Sequence, residues 1–224
     1  MKVKVIGIGG IGTCLLPVLV RFLDFSSSAA DILLIDGDRF EERNRERQSF
    51  DRLGNKAEVT AERLQQQHSR VRLHARPEYV TESDVVRLVR EGDVVFLCVD
   101  NHATRKLVSD RCEDLNNVVL ISGSNELTDG SVQVYVRRDG QDVTLPLASD
   151  FHPEVQYPGD VNPAELGCEE QVESEPQLLF TNNLVAAMML GSFYTWQQGT
   201  LKYDELYCDL LTGNCRAVSR MVNR

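Results

Sequence analysis

Val3-Lys4-Val5-Ile6-Gly7-Ile8-Gly9-Gly10-Ile11-Gly12 is an apolar run that closes on four glycines, and its reading decides the fold. A strand that stops at a G-x-G-x-x-G turn and opens a helix directs backbone N–H groups and a positive helix end at one point, which suits a phosphate. Gly7 permits the tight turn, Gly9 lets the backbone approach a ligand, and Gly12 lets the helix pack closely on its strand, with Gly10 between them. Tight strand-to-helix turns with glycine also occur where nothing binds, so the surrounding chain has to decide.

Outward from this turn, Ile11 to Phe25 reads as a helix with Leu15, Leu16, Val18, Leu19, Phe22 and Leu23 on its apolar side and Pro17 placed early in it. Asp31 to Asp36 follows as a buried strand, so strand, helix and strand make a parallel pair with a right-handed crossover. Residues 54–67 read as a helix and Val71 to Ala75 as a strand. Thr81-Glu82-Ser83-Asp84 has the form of a capping box for a helix through Leu88. Asp93 to Val99 is the fourth strand, 102–115 a helix, and Val118 to Ser122 the last parallel strand. The rhythm then changes to an expected hairpin, Ser131 to Val136 against Asp142 to Leu147. Residues 148–176 are irregular and carry four prolines. A helix from about Gln177 to Trp196 and an antiparallel pair around Thr212-Gly213-Asn214 complete an α/β, Rossmann-like, mostly parallel sheet with helices on both faces and antiparallel C-terminal strands.

With 224 residues and 42% hydrophobic content the chain reads as one ordinary globular domain over 1–224. Its net charge of −10 argues against nucleic acid and anionic membrane surfaces, both of which need a basic face. No apolar stretch has the roughly 20 residues a bilayer needs, and the start lacks a secretory pattern, so a cytoplasmic location is expected. Six cysteines without a C-x-x-C pair speak against zinc knuckles and dithiol chemistry and read mostly as buried thiols. His68, His74, His102 and His152 share no ligand spacing and read as surface residues.

Asp36 ends the second strand, where dinucleotide folds place an acid on ribose hydroxyls, although a turn Asp reads equally well there. Cations recur just beyond it, in Asp38-Arg39-Phe40-Glu41-Glu42-Arg43-Asn44-Arg45-Glu46-Arg47-Gln48. A solvated helix face tied by pairs such as Glu41 with Arg45 is the plainer reading of that run.

Asp36 and Asp38, then Asn44, Arg47 and Gln48, then Gly54-Asn55-Lys56-Ala57, then Val99-Asp100-Asn101 with Arg105, form an ordered series. It resembles the ubiquitin-activating-enzyme-like adenylyltransferases, which include the ThiF and MoeB sulfur-carrier activators. The resemblance covers residues 3–124 well and the rest loosely. It implies ATP-dependent activation of the C-terminal glycine of a small ubiquitin-like or sulfur-carrier protein. Carboxylate and triphosphate are both anions, so such a site needs fixed positive charge that counts most in the transition state. By this resemblance Arg47 and Lys56 face the phosphates, Asn44 and Gln48 act as neutral donors, Asp36 takes the ribose, and Asp100 holds Mg²⁺. It also implies that residues 148–176 form a mobile crossover loop and lid that binds the partner, and that two copies pair as a homodimer. Cys168, in Leu166-Gly167-Cys168-Glu169-Glu170, stands where several such proteins carry an acyl-accepting cysteine, while Glu169, Glu170 and Glu173 would raise its pKa and blunt it.

The chain departs from the pattern in three places. It begins at its first strand, without the N-terminal arginine that reaches a partner's ATP, so that cation is either supplied by Arg43, Arg45 or another protein, or missing altogether. The gap from Arg47 to Lys56 is short, and the zinc-binding cysteine pairs are absent. Two other readings stay open: a non-catalytic relative that binds nucleotide or a partner, and an NAD-dependent oxidoreductase using Gly7, Gly9, Gly12 and Asp36.

Overall fold

The computed structural model describes residues 1–26, 29–145, 151–166 and 177–219. The strands in chain order are β1 Lys2–Ile6, β2 Ala30–Ile35, β3 Arg39–Phe40, β4 Gly54–Asn55, β5 Val71–Arg76, β6 Asp93–Leu97, β7 Val118–Asn125, β8 Asp129–Arg138, β9 Gln141–Asp142, β10 Glu205–Asp209 and β11 Asn214–Val218. The helices are α1 Gly10–Asp24, α2 Lys56–Gln65, α3 Val85–Leu88, α4 His102–Glu113, α5 Pro153–Gln156 and α6 Leu179–Gln197. Among the described residues the main sheet runs β11-β10-β8-β7-β6-β1-β2-β5, with β9 beside β8. Strands β5, β2, β1, β6 and β7 are mutually parallel, and β8, β10 and β11 extend the sheet antiparallel.

Strand alternation builds a core on each face. Val3, Val5, Ile32, Leu34, Val94, Phe96, Val119 and Ile121 pack with residues of α1, α2 and α6. Ile6, Ile35, Val95, Leu97, Val118 and Leu120 face the other way, onto Val85, Leu88, Val108 and Cys112 of α3 and α4. Both faces of β6 are therefore buried, which is why Val94–Leu97 is apolar throughout rather than alternating. Strand β1 lies between β2 and β6, so the chain order reverses beside it. A crevice at the carboxyl ends of β1 and β6 is where open α/β sheets bind ligands.

Several expectations need correction. The expected hairpin is a minor feature: β8 pairs chiefly with β7 and β10, and β9 contributes only Arg137↔Asp142 and Arg138↔Gln141, with 146 and 147 outside the described residues. Pro17 lies inside α1 rather than near its start. The Glu41–Arg45 helix face does not form; a 3₁₀ turn at Glu42–Asn44 pairs Arg43 with Glu41 and Arg45 with Glu42 instead. Only one half of the Thr81 capping box exists, Asp84 Oδ1 accepting from the Thr81 N–H at 2.9 Å while the Thr81 hydroxyl meets Ser83. His68 and His152 are not surface residues, because each is largely covered and paired with a carboxylate.

Residues 151–166 are fastened to the body at three points. His152 meets Glu205 at 2.5 Å, Asp160 accepts from the first N–H groups of α4 at 2.7 and 2.9 Å, and Asn162 donates to Val80 O at 2.9 Å. Residues 146–150 and 167–176 of the expected lid lie outside the described residues.

Candidate functional site

The four glycines of the turn have separable surroundings. Gly7 has φ +89°, and a Cβ there would stand 2.8 Å from the Cys98 backbone, so the tight turn also lets β1 and the end of β6 close together. A Cβ on Gly12 would meet Gly7 O at 2.2 Å, which reserves that position for helix-to-strand contact. A Cβ on Gly9 would meet nothing within 4 Å, so this is the glycine whose bare backbone faces open space. Gly10 is covered by amides, with Asn182 Nδ2 at 2.3 Å and Gln177 Oε1 at 2.6 Å from its Cβ position.

The loop from β2 to α2 brings charge to the same mouth. Asp36 is buried at the end of β2, its Oδ2 accepting from the Ile8 N–H at 2.5 Å and its Oδ1 from the Asp38 N–H at 2.8 Å. It thereby ties the glycine turn to β2. Asn55 caps α2 by accepting from the Glu58 N–H at 3.1 Å, and its Nδ2 donates to Asp36 O and Asp38 O. This clamp presents Lys56, 8% exposed, whose Nζ donates to Asp38 Oδ2 at 2.9 Å. Between the two ends, Phe40 and Phe50 stack at 4.4 Å and pack with Val59, a small separate core that holds the loop.

Charges here act on one another. Burial pushes the Asp36 carboxyl upward, against the pull of Lys56. Burial also acts to raise Asp38, but Lys56 and the Tyr79 hydroxyl outweigh it and hold Asp38 below its ordinary value. Burial works to lower Lys56, yet Asp36, Asp38 and Asp100 together keep it above its ordinary value, so it is a firmly charged ammonium. Asp100, exposed after β6, is thus within electrostatic reach of Lys56 across the switch point. Behind it Arg105 is buried and donates to Ser122 Oγ at 2.8 Å, Gly123 O at 2.8 Å and Val99 O, which fixes the β6–α4 turn.

Asp36, Asp38, Lys56 and Asp100 therefore converge beside the glycine turn. Asn44, Arg47 and Gln48 sit on the loop between β3 and β4: Asn44 Oδ1 accepts from the Glu41 N–H at 2.9 Å, and Gln48 is buried with Oε1 unpartnered. Of the two substitute cations, Arg45 is engaged by Glu42 and by the Phe50 ring at 4.6 Å, and Arg43 is engaged by Glu41 at 2.5 Å while also acting electrostatically on Asp38. Cys168 lies outside the described residues. Tyr79 is a site residue that sequence reading misses. Its ring lies on Gly37, where a Cβ would be 2.5 Å away, and its hydroxyl donates to Asp38 Oδ1. Only the pairing of β5 with β2 puts this isolated aromatic there, so no local pattern announces it.

The donor set can be tested against a nucleotide and a metal. Bare backbone at Gly9 and a charged lysine suit phosphate oxygens, whereas the unpartnered Gln48 Oε1 is an acceptor and does not. No three His, Cys, Asp or Glu side chains among the described residues form a metal cage. A magnesium ion at Asp100 would have to take its remaining ligands from phosphate and water, as this ion commonly does.

A parallel sheet with a glycine turn and a buried lysine at its switch point defines a Rossmann-like α/β domain. The sequence matches the ThiF family over residues 1–204, and the chain belongs to that family. It is 33% identical over 138 residues to the adenylyltransferase and sulfurtransferase MOCS3 of Drosophila sechellia, covering 60% of this chain and 29% of that protein. The MOCS3 of Drosophila ananassae is 35% identical over 145 residues, covering 62% and 30%. The chain thus spans about three tenths of the length of these curated relatives. Among solved structures, E. coli MccB with ATP superposes with a TM-score of 0.68 at 20% identity, covering 99% of this chain and 65% of that one. PaaA superposes with a TM-score of 0.69 at 17% identity, covering 98% and 64%. These likenesses establish the fold, parallel sheet and antiparallel extension included. No helix among the described residues is long and apolar enough to cross a membrane.

Proposed function

We propose that this protein adenylates the C-terminal carboxylate of a small protein or peptide, using ATP. The observation that carries the reading is the gathering of Lys56, Asp36, Asp38 and Asp100 beside the glycine turn, in which Gly9 alone has open space where a Cβ would stand. The family, the MOCS3 relatives and the fold shared with MccB support it. In this reading a carboxylate oxygen attacks the α-phosphorus, the bond to the departing pyrophosphate breaks, and an acyl adenylate forms. Lys56 moves from Asp38 to the phosphates, and Arg47, Asn44 and Gln48 add donors from the loop above. Asp36 receives the ribose hydroxyls while still holding Ile8. Magnesium held by Asp100 would neutralise the pyrophosphate charge.

The finer assignment is a ubiquitin-like or sulfur-carrier protein ending in glycine, whose acyl group then passes to the Cys168 thiolate as AMP leaves. Pairing of two copies is part of the same proposal. It is supported by α6, whose apolar residues are not confined to its buried face, leaving Phe180 68% and Tyr194 51% exposed. ATP–pyrophosphate exchange with Mg²⁺ tests the core of the reading, with and without candidate carriers. Exchange that depends on a carrier and is lost in Lys56→Ala, Arg47→Ala and Asp100→Ala supports it. Exchange that survives all three substitutions removes these residues, and ATP binding without exchange leaves a nucleotide-binding relative. Light scattering measures the pairing.

A further inference from the structure

Asn182, in the first turns of α6, is fully buried, and neither its Oδ1 nor its Nδ2 has a hydrogen-bond partner. Leaving both ends of an amide unmet in the interior is costly, and such a group in a native structure calls for an explanation. Its position is informative. Nδ2 lies 2.3 Å from where a Cβ on Gly10 would stand. Gly10 is the first residue of α1, and Cα–Cβ bonds in a helix tilt toward its N-terminus. The amide therefore lies against the first turn of α1, where backbone N–H groups have no acceptor within the helix. Two sets of donors meet there: the first-turn N–H groups, which make the positive end of the 15-residue α1, and the Asn182 NH₂. Gln177 Oε1 approaches the same point to 2.6 Å, and it is only half-buried, so this carboxamide is the piece that can swing aside.

We infer that Asn182 is a nucleotide-binding residue: its amide is kept unpaired in the ligand-free protein so that it can donate to a phosphate oxygen seated on the Gly9–Gly10 turn. This rests on the nucleotide reading above and adds to it a contact from the opposite half of the chain. It also makes the start of α6, immediately after the crossover segment, sensitive to whether the turn is occupied.

Asn182→Leu tests the inference, because leucine fills nearly the same volume without polar atoms. An amide that serves only packing makes Leu neutral or stabilising and leaves ATP binding unchanged. An amide reserved for phosphate makes Leu equally neutral or stabilising without ligand, yet weakens ATP about tenfold or more. Thermal unfolding without nucleotide and calorimetric titration with Mg-ATP read the two effects separately, and Asn182→Ala repeats the titration should leucine not fit. Wild-type affinity retained in both variants overturns the inference alone. Wild-type protein that binds no ATP overturns the nucleotide reading with it.

Discussion

The glycine turn after β1 and the loop after β2 form two sides of one mouth, but they are held by different forces. The turn is set by backbone contact: Gly7 against Cys98 and Gly12 against Gly7 leave no room for a methyl group. The loop is set by charge and clamps, with Lys56 between Asp36 and Asp38, Asn55 bonded to both carbonyls, and Tyr79 on Asp38. A contact made by shape tolerates no addition and ignores pH. A contact made by charge tolerates conservative change but depends on protonation and on its partner being present. The first suits an invariant cradle, and the second suits a lysine that has to change partners when phosphate arrives.

The harshest test of this contrast lies within the turn itself. Gly12→Ala should destabilise the fold by about 3 kcal/mol or more, since the new methyl would meet backbone rather than a flexible side chain. Gly9→Ala should change stability by less than about 1 kcal/mol while weakening ATP strongly, because nothing but ligand space lies beside it. Urea unfolding and ATP titration of both variants would break the comparison if they behaved alike. Lys56→Met comes next, with an expected loss of about 2–3 kcal/mol from leaving buried Asp36 without its cation, discounted because Asp38 is half exposed. Chemical denaturation measures it, and Lys56→Arg should recover most of the stability but little of the exchange activity.

The contact between His152 and Glu205 extends the comparison to the crossover segment. Hydrogen bonding to Glu205 raises the His152 pKa, burial opposes this, and Glu154 adds to the rise. A folded pKa above the unfolded value of about 6.5 means the stabilisation is complete below that pH and is lost as pH rises through the folded value. Wild type should therefore lose about 1 kcal/mol more than His152→Gln between mildly acidic and alkaline pH, whereas the Gly12 contact should show no such slope. The smallest effect is expected for Tyr79→Phe. It removes one half-exposed hydrogen bond, about 1 kcal/mol or less, and should raise the KM for ATP more than it lowers kcat by letting Asp38 and Lys56 shift. An unchanged KM would make Tyr79 a wall of the site without influence on Lys56.

Much of this architecture was legible in the linear chain because it rests on local periodicity. The glycine turn, the parallel strands, the long helix before the last hairpin and the order of Asp36, Lys56 and Asp100 all follow from neighbours in sequence. The family resemblance drawn from those motifs agrees with the match over residues 1–204. The misses away from local turn and cap geometry share one physical origin. Residue β8 partners, the burial of His152 and the tie from Asp160 to α4 are set by groups far away in sequence. No spacing rule carries that information.

By itself, then, the sequence determined which residues turn, which pair into strands and which carry charge, since those depend on steric and hydrophobic preferences within a few positions. Only the folded chain decided that Tyr79 would lie on Gly37, that Asp36 would hold Ile8, and that Asn182 would press its unpaired amide against Gly10. Each of these needs two segments more than 25 residues apart to meet, and packing of the whole core, not the local chain, supplies that meeting.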